Sequence, residues 1–240
     1  MEKDVKIKTP DGKIIEGILR GNIKKPLILI VHGLCGNINE AMHYNAARYF
    51  EKQGFSSFRF NLYSWGKDNR KLHECTLKTH GADIDLVLKF LKSTGAQKIF
   101  AIGHSYGFPA LLHSKANTIE TLVSWDGSVL PRDTFLKKPS IIKPVKGRLI
   151  DEGYLTIMGE GMAKEQRNVN SIELAQDFNK PIKLITIPKD GNLIGAKNIF
   201  RVLSEPKELT IIKGASHNFT EEGKQEELYY ETIQWFKKFE

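Results

Sequence analysis

A chain of 240 residues, 40 % hydrophobic and 27 % charged, has enough apolar material for one large core and none of the bias of a collagen, a repeat array or a disordered polymer. Its net charge of +8 is carried by scattered lysines without a dense basic run interleaved with aromatics, so the excess reads as a solvated surface and no nucleic-acid partner is expected. The longest apolar run, Leu27–Val31, is far too short for a bilayer, and Met1-Glu2-Lys3-Asp4 lacks the basic start and apolar stretch of a signal peptide. The expectation is a cytoplasmic protein with no integral membrane segment.

Two extended stretches, 5–9 and 13–20, flank the turn residues Pro10-Asp11-Gly12 and predict an N-terminal hairpin. Leu27–Val31 is apolar throughout without alternation, the pattern of a central strand covered on both faces. Met42, Ala46, Tyr49 and Phe50 recur at helical spacing before Gly54, and a strand follows over 55–60. Ile84, Val87, Leu88 and Leu91 mark a second helix ended by Gly95, with a strand over 98–102 and a helix over 108–115 next. Further strands are predicted at 121–125, 182–187 and 208–212, and helices at 171–178, 195–203 and 225–239.

Such alternation predicts an α/β fold: a mostly parallel sheet of about eight strands, helices on both faces, and ligands at the carboxyl ends of the strands. The chain is expected to be a single domain over residues 1–240, with a small cap-like insertion at about 131–170 after the sixth strand. Within it, Tyr154, Leu155, Ile157, Met158 and Met162 fit either a cover over a substrate pocket or a hairpin packed at the sheet edge.

The chemistry centres on Gly103-His104-Ser105-Tyr106-Gly107, which stands between a buried strand and a helix. A serine there must sit on a tight, strained turn, and glycines two residues away on each side avoid clashes with neighbouring backbone. Serine needs a base near neutral pKa and a group to orient that base. Of seven histidines, His217 alone follows the last predicted strand and precedes the final helix. The acid is expected between them in the chain. Asp190 follows the strand at 182–187 and is favoured, although Asp190-Gly191 also reads as a plain turn, and Asp126 in Trp125-Asp126-Gly127 is the rival. The amides of Tyr106 and of Leu34, in the loop His32-Gly33-Leu34-Cys35-Gly36-Asn37, are the expected oxyanion donors.

Two cysteines, Cys35 and Cys75, make neither a disulfide framework nor a closely spaced zinc pattern; no metal and no cofactor are expected.

Through the His32-Gly33 loop, the Ser105 elbow, Asp190 and His217, the chain resembles the α/β-hydrolase superfamily over nearly its whole length. Within it, the chain looks most like small carboxylesterases of the feruloyl esterase and monoacylglycerol lipase type. It departs from them at Asn61-Leu62-Tyr63-Ser64-Trp65-Gly66-Lys67, where an Asp-x-x-Gly-x-Gly-x-Ser run is common, and at Phe108, where a small residue is frequent. The resemblance implies hydrolysis of a small-molecule carboxylic ester through an acyl-serine. Two other functions fit the same residues: a thioesterase or lipase for longer acyl chains, suggested by the Met-containing insertion and basic surface, and a non-catalytic binding protein on the same fold.

Overall fold

The computed structural model describes residues 1–115, 117–131, 147–151 and 155–240, with the side chains of 148–151, 155 and 190 outside that description. Tyr154 and the side chain of Leu155 therefore lie outside the described residues.

The N-terminal hairpin pairs β1 (Glu2–Lys8) with β2 (Ile14–Arg20), and β2 runs antiparallel to β4 (Ser56–Phe60). From there the sheet is parallel through β3 (Leu27–Val31), β5 (Ile99–His104), β6 (Leu122–Trp125), β9 (Ile182–Thr186) and β10 (Lys207–Ile211), in the order β1-β2-β4-β3-β5-β6-β9-β10. All eight strands stand where the apolar patterning puts them, to within two residues except that β1 begins three residues earlier, at Glu2.

The uniform apolarity of the central strands has a simple cause. In β3, Leu27, Leu29 and Val31 enter one core while Ile28 and Ile30 enter the other; in β5, Ile99 and Ala101 part from Phe100 and Ile102 in the same way. One face is covered by α1 (Ala41–Lys52) and α7 (Lys224–Phe236), through Met42, Ala46 and Phe50 and through Leu228, Ile233 and Phe236. The other face carries α2 (Leu77–Ser93), α3 (Gly107–His113), α4 (Glu160–Asn168), α5 (Ser171–Asp177) and α6 (Asp190–Val202).

The insertion after β6 contains an antiparallel hairpin, β7 (Gly147–Asp151) and β8 (Leu155–Gly159), followed directly by α4. Its methionines face inward: Met158 and Met162 are fully buried in the same core as Leu72, Cys75 and Leu77. Among the described residues no helix is long and apolar enough to cross a membrane.

Parallel strands share the side on which they end, so the loops after β3, β5, β6, β9 and β10 meet at one edge of the sheet. The buried residues of β3 anchor this arrangement. Leu29→Ala, at a position with no solvent exposure, should lower unfolding free energy by about 2–5 kcal/mol in urea titration, and a loss under about 1 kcal/mol would contradict this packing.

Candidate active site

Ser105 stands between β5 and α3 with a backbone φ of 51°, in the left-handed region that non-glycine residues rarely adopt. Its neighbours explain how the turn is accommodated. A Cβ on Gly107 would lie 2.3 Å from the Val31 carbonyl oxygen, and one on Gly103 would lie 2.7 Å from the Phe108 backbone. Only glycine fits at either place. The turn is fastened by the Ser105 amide donating to the Trp125 carbonyl at 3.0 Å and by the Ser105 carbonyl accepting from the Ser128 amide at 2.9 Å. The Ser105 hydroxyl is 3.3 Å from the Ser128 hydroxyl and is bonded there rather than to an imidazole.

His217 lies in the loop between β10 and α7, its side chain 39 % exposed. Its Nδ1 is 2.5 Å from Oδ2 of Asp126, and this carboxylate is completely buried. The acid against the histidine is thus Asp126, at the end of β6, in place of the favoured Asp190. Asp190 is the first residue of α6, and its side chain is outside the described residues. Asp126 has φ 43°, so a second strained turn aims this carboxylate. Thr186 Oγ1 donates to Oδ1 at 2.9 Å, Asn192 Nδ2 to Oδ2 at 2.5 Å, and the Ile187 amide approaches Oδ1 at 3.4 Å. Burial pushes the carboxyl pKa up, but the hydrogen bond and charge of His217, with the Thr186 and Asn192 bonds, outweigh it and hold the group below its ordinary value.

The loop after β3 is set by His32. Its Nδ1 donates to the Gly33 carbonyl at 2.7 Å and its Nε2 accepts from the Leu62 amide at 3.0 Å, which fixes the neutral tautomer; burial lowers its pKa to about 4. Gly33 passes so close to the Ser105 turn that an added Cβ would be 3.1 Å from Ser105 Cβ. Leu34 follows Gly33 in this loop as Tyr106 follows Ser105; the Tyr106 ring is buried and its hydroxyl pairs with His80 Nδ1 at 3.2 Å. The Leu34 and Tyr106 amides have no hydrogen-bond acceptor among the described residues. Cys35 continues this loop with φ 65°.

Beside it opens a cleft of about 260 Å³ lined by Cys35, Asn37, Asn61, Tyr63, Trp65 and Thr156. Trp65 is 69 % exposed, and Thr156 brings β8 of the insertion into this lining. The segment that departs from the esterase pattern, around residues 61–67, is therefore a wall of the cleft.

A hydroxyl on a strained turn, an imidazole held by a buried carboxylate and open amide donors nearby are the components required for nucleophilic attack on a carbonyl. A family model described as the alpha/beta hydrolase fold matches residues 26–107, which contain β3, the His32 loop and the elbow. The chain has the α/β-hydrolase fold. It is similar over 98 % of its length to 98 % of Est1E from Butyrivibrio proteoclasticus, solved with ferulic acid bound, at 16 % identity and a TM-score of 0.80. An esterase domain from Rhodothermus marinus aligns at 17 % identity and a TM-score of 0.78, covering 98 % of this chain and 97 % of that one. Dienelactone hydrolase from Anabaena variabilis aligns at 16 % identity and a TM-score of 0.70, with 98 % and 96 % covered. No curated protein sequence matches the chain.

A carboxylate whose folded pKa is depressed contributes stability that is complete above its unfolded value near 3.9 and lost as pH falls through the folded one. Asp126→Asn should therefore destabilise the protein by roughly 1–3 kcal/mol at pH 7, with the gap to wild type narrowing below about pH 4 in denaturant titrations. A gap independent of pH would contradict the ionised pairing.

Proposed function

We propose that the chain is a serine hydrolase of carboxylic esters, acting as one domain with Ser105 as nucleophile, His217 as general base and Asp126 as the acid that orients it. The observation that carries the reading is the Asp126–His217 contact at 2.5 Å, at the same sheet edge as the strained Ser105 turn. In the free protein the serine hydroxyl rests on Ser128, and substrate entry would turn it toward the imidazole; catalytic hydrogen bonds commonly tighten only in the complex.

Ser105 Oγ attacks the ester carbonyl as His217 Nε2 takes its proton. The Leu34 and Tyr106 amides receive the negative charge that develops on the carbonyl oxygen, and donors of this kind contribute on the order of 3–4 kcal/mol each. The imidazolium then protonates the leaving alcohol, giving an acyl-serine. Water, deprotonated by the same imidazole, attacks this ester and releases the acid. Asp126 stays ionised throughout and holds Nδ1–H toward itself, so that Nε2 carries the lone pair. The cleft beside Leu34, with Trp65 and Tyr63 on its walls, would receive part of a small-molecule ester.

The inward-facing Met158 and Met162 are packed in the core and offer no apolar cover for a long acyl chain, which favours a short ester.

Turnover of p-nitrophenyl acetate and butyrate tests the reading. Ser105→Ala should lose activity to the background, Asp126→Asn should lower kcat by about 10⁴-fold, and Asp190→Asn should stay within a few-fold of wild type. Unchanged turnover in Ser105→Ala would overturn the nucleophile, and a collapse in Asp190→Asn with Asp126→Asn active would overturn the acid.

A further inference from the structure

Behind His217 lies a group of polar atoms that the proposed hydrolysis does not use. His104, the last residue of β5, is 3 % exposed, and its ring lies 5.1 Å from that of His217 and 5.5 Å from that of His43. Its Nε2 donates to the His217 carbonyl at 3.2 Å, which leaves Nδ1 as the nitrogen with the lone pair. That Nδ1 is buried without a hydrogen-bond partner. His43, in the first turn of α1 and 1 % exposed, likewise has a buried Nε2 without a partner. Glu40 precedes that helix; its Oε2 lies 2.9 Å from His43 Nδ1 but is not in an aligned hydrogen bond. One donor atom from each of the three residues lies within 4.8 Å of the others.

With the His104 N–H spent on the His217 carbonyl and the one N–H of His43 on Nδ1, the three unpartnered atoms, His104 Nδ1, His43 Nε2 and Glu40 Oε2, are all lone pairs and cannot donate to one another. A bridging water has two protons for three such atoms. A divalent cation accepts all three lone pairs at once. Ligands of one ion also stand near each other without an N–H aimed at the oxygen, as Glu40 and His43 do here.

We propose that Glu40, His43 and His104 form a binding site for one divalent transition-metal ion of the zinc type. Two imidazoles and a carboxylate suit zinc, cobalt or nickel better than magnesium or calcium. The His104 N–H bonded to a backbone carbonyl is the outer contact that metal-bound histidines usually make. Bond lengths of about 2.0–2.2 Å require the donor atoms to draw closer than they are here. Glu40 supplies the movement: it precedes α1, its side chain is 34 % exposed, and Gly36 leaves its flank open, since a Cβ there would be 2.7 Å from Oε2. A bound ion would tie the start of α1 to the end of β5 and, through His104, to the backbone of His217. Its role would be to position that residue, with no part in the ester chemistry itself.

Untagged, chelator-stripped protein titrated with Co²⁺ and with Zn²⁺ tests the site. Uptake of one equivalent is expected, with visible cobalt bands of a low-coordinate nitrogen and oxygen site and a rise in Tm of several degrees at saturating Zn²⁺. Glu40→Gln, at a partly exposed position that should not disturb folding, and His43→Gln, checked by circular dichroism, should each weaken uptake at least about tenfold. Ser105→Ala, His73→Gln and His113→Gln should bind as wild type does, which separates this site from the hydrolase assignment. Absence of stoichiometric uptake, or uptake that Glu40→Gln and His43→Gln leave unchanged, would overturn the proposal.

Discussion

The backbone at Ser105 is held at φ 51°, a conformation costing on the order of 1–3 kcal/mol for a residue with a side chain, and the rest of the site is arranged around keeping it there. Strand β3 lies so close that Gly107 has no room for a Cβ, strand β6 supplies the carbonyl that takes the Ser105 amide, and the Ser128 amide closes the turn from beyond β6. These contacts come from three parallel strands whose apolar side chains fill two cores. The stability of the sheet is thus what maintains a turn that is locally unfavourable.

The same parallel geometry brings the other groups into reach. Asp126 follows β6, Thr186 ends β9, Asn192 lies in α6 and His217 follows β10, yet all four share one hydrogen-bonded cluster. A carboxylate wholly removed from solvent would ordinarily favour its protonated form. Here the donors around it reverse that preference, and a fixed negative charge stands against Nδ1 of the imidazole. On the far side His104 takes hold of the His217 carbonyl, so the histidine is fixed through both its side chain and its backbone.

Much of this was legible in the sequence because burial on two faces leaves a run such as Leu27–Val31 with no polar residue, and because Gly103 and Gly107 mark close backbone approaches. The resemblance to the α/β-hydrolase superfamily, read from the His32-Gly33 loop, the Ser105 elbow, Asp190 and His217, agrees in its fold with the sheet and with the family match over residues 26–107. The carboxylate that meets His217 was harder to read. Asp190 is favoured because it follows the strand at 182–187, against the reading of Asp190-Gly191 as a plain turn, whereas helix α6 begins at Asp190. Asp126 carries a signal that was open to reading: it follows an apolar strand and precedes Gly127, where an added Cβ would meet Phe108 at 2.6 Å, the same strand-to-tight-turn format as the elbow. The hairpin at Gly147–Asp151 and Leu155–Gly159 was one of two readings left open for the insertion, without strand bounds, since mixed polarity gives weak periodicity. The Glu40, His43 and His104 group was invisible for a different reason: its members are up to 64 positions apart and meet only when α1 packs on β5.

The account stands on Ser105 being an activated nucleophile in the folded protein. Reaction with a fluorophosphonate, followed by peptide mass mapping, tests this most directly, because the reagent phosphonylates a serine only where a base and oxyanion donors already converge on it. The account predicts one phosphonyl group per chain, on Ser105, and none on urea-unfolded protein. Folded protein that stays unlabelled, or that carries the label elsewhere, would contradict it.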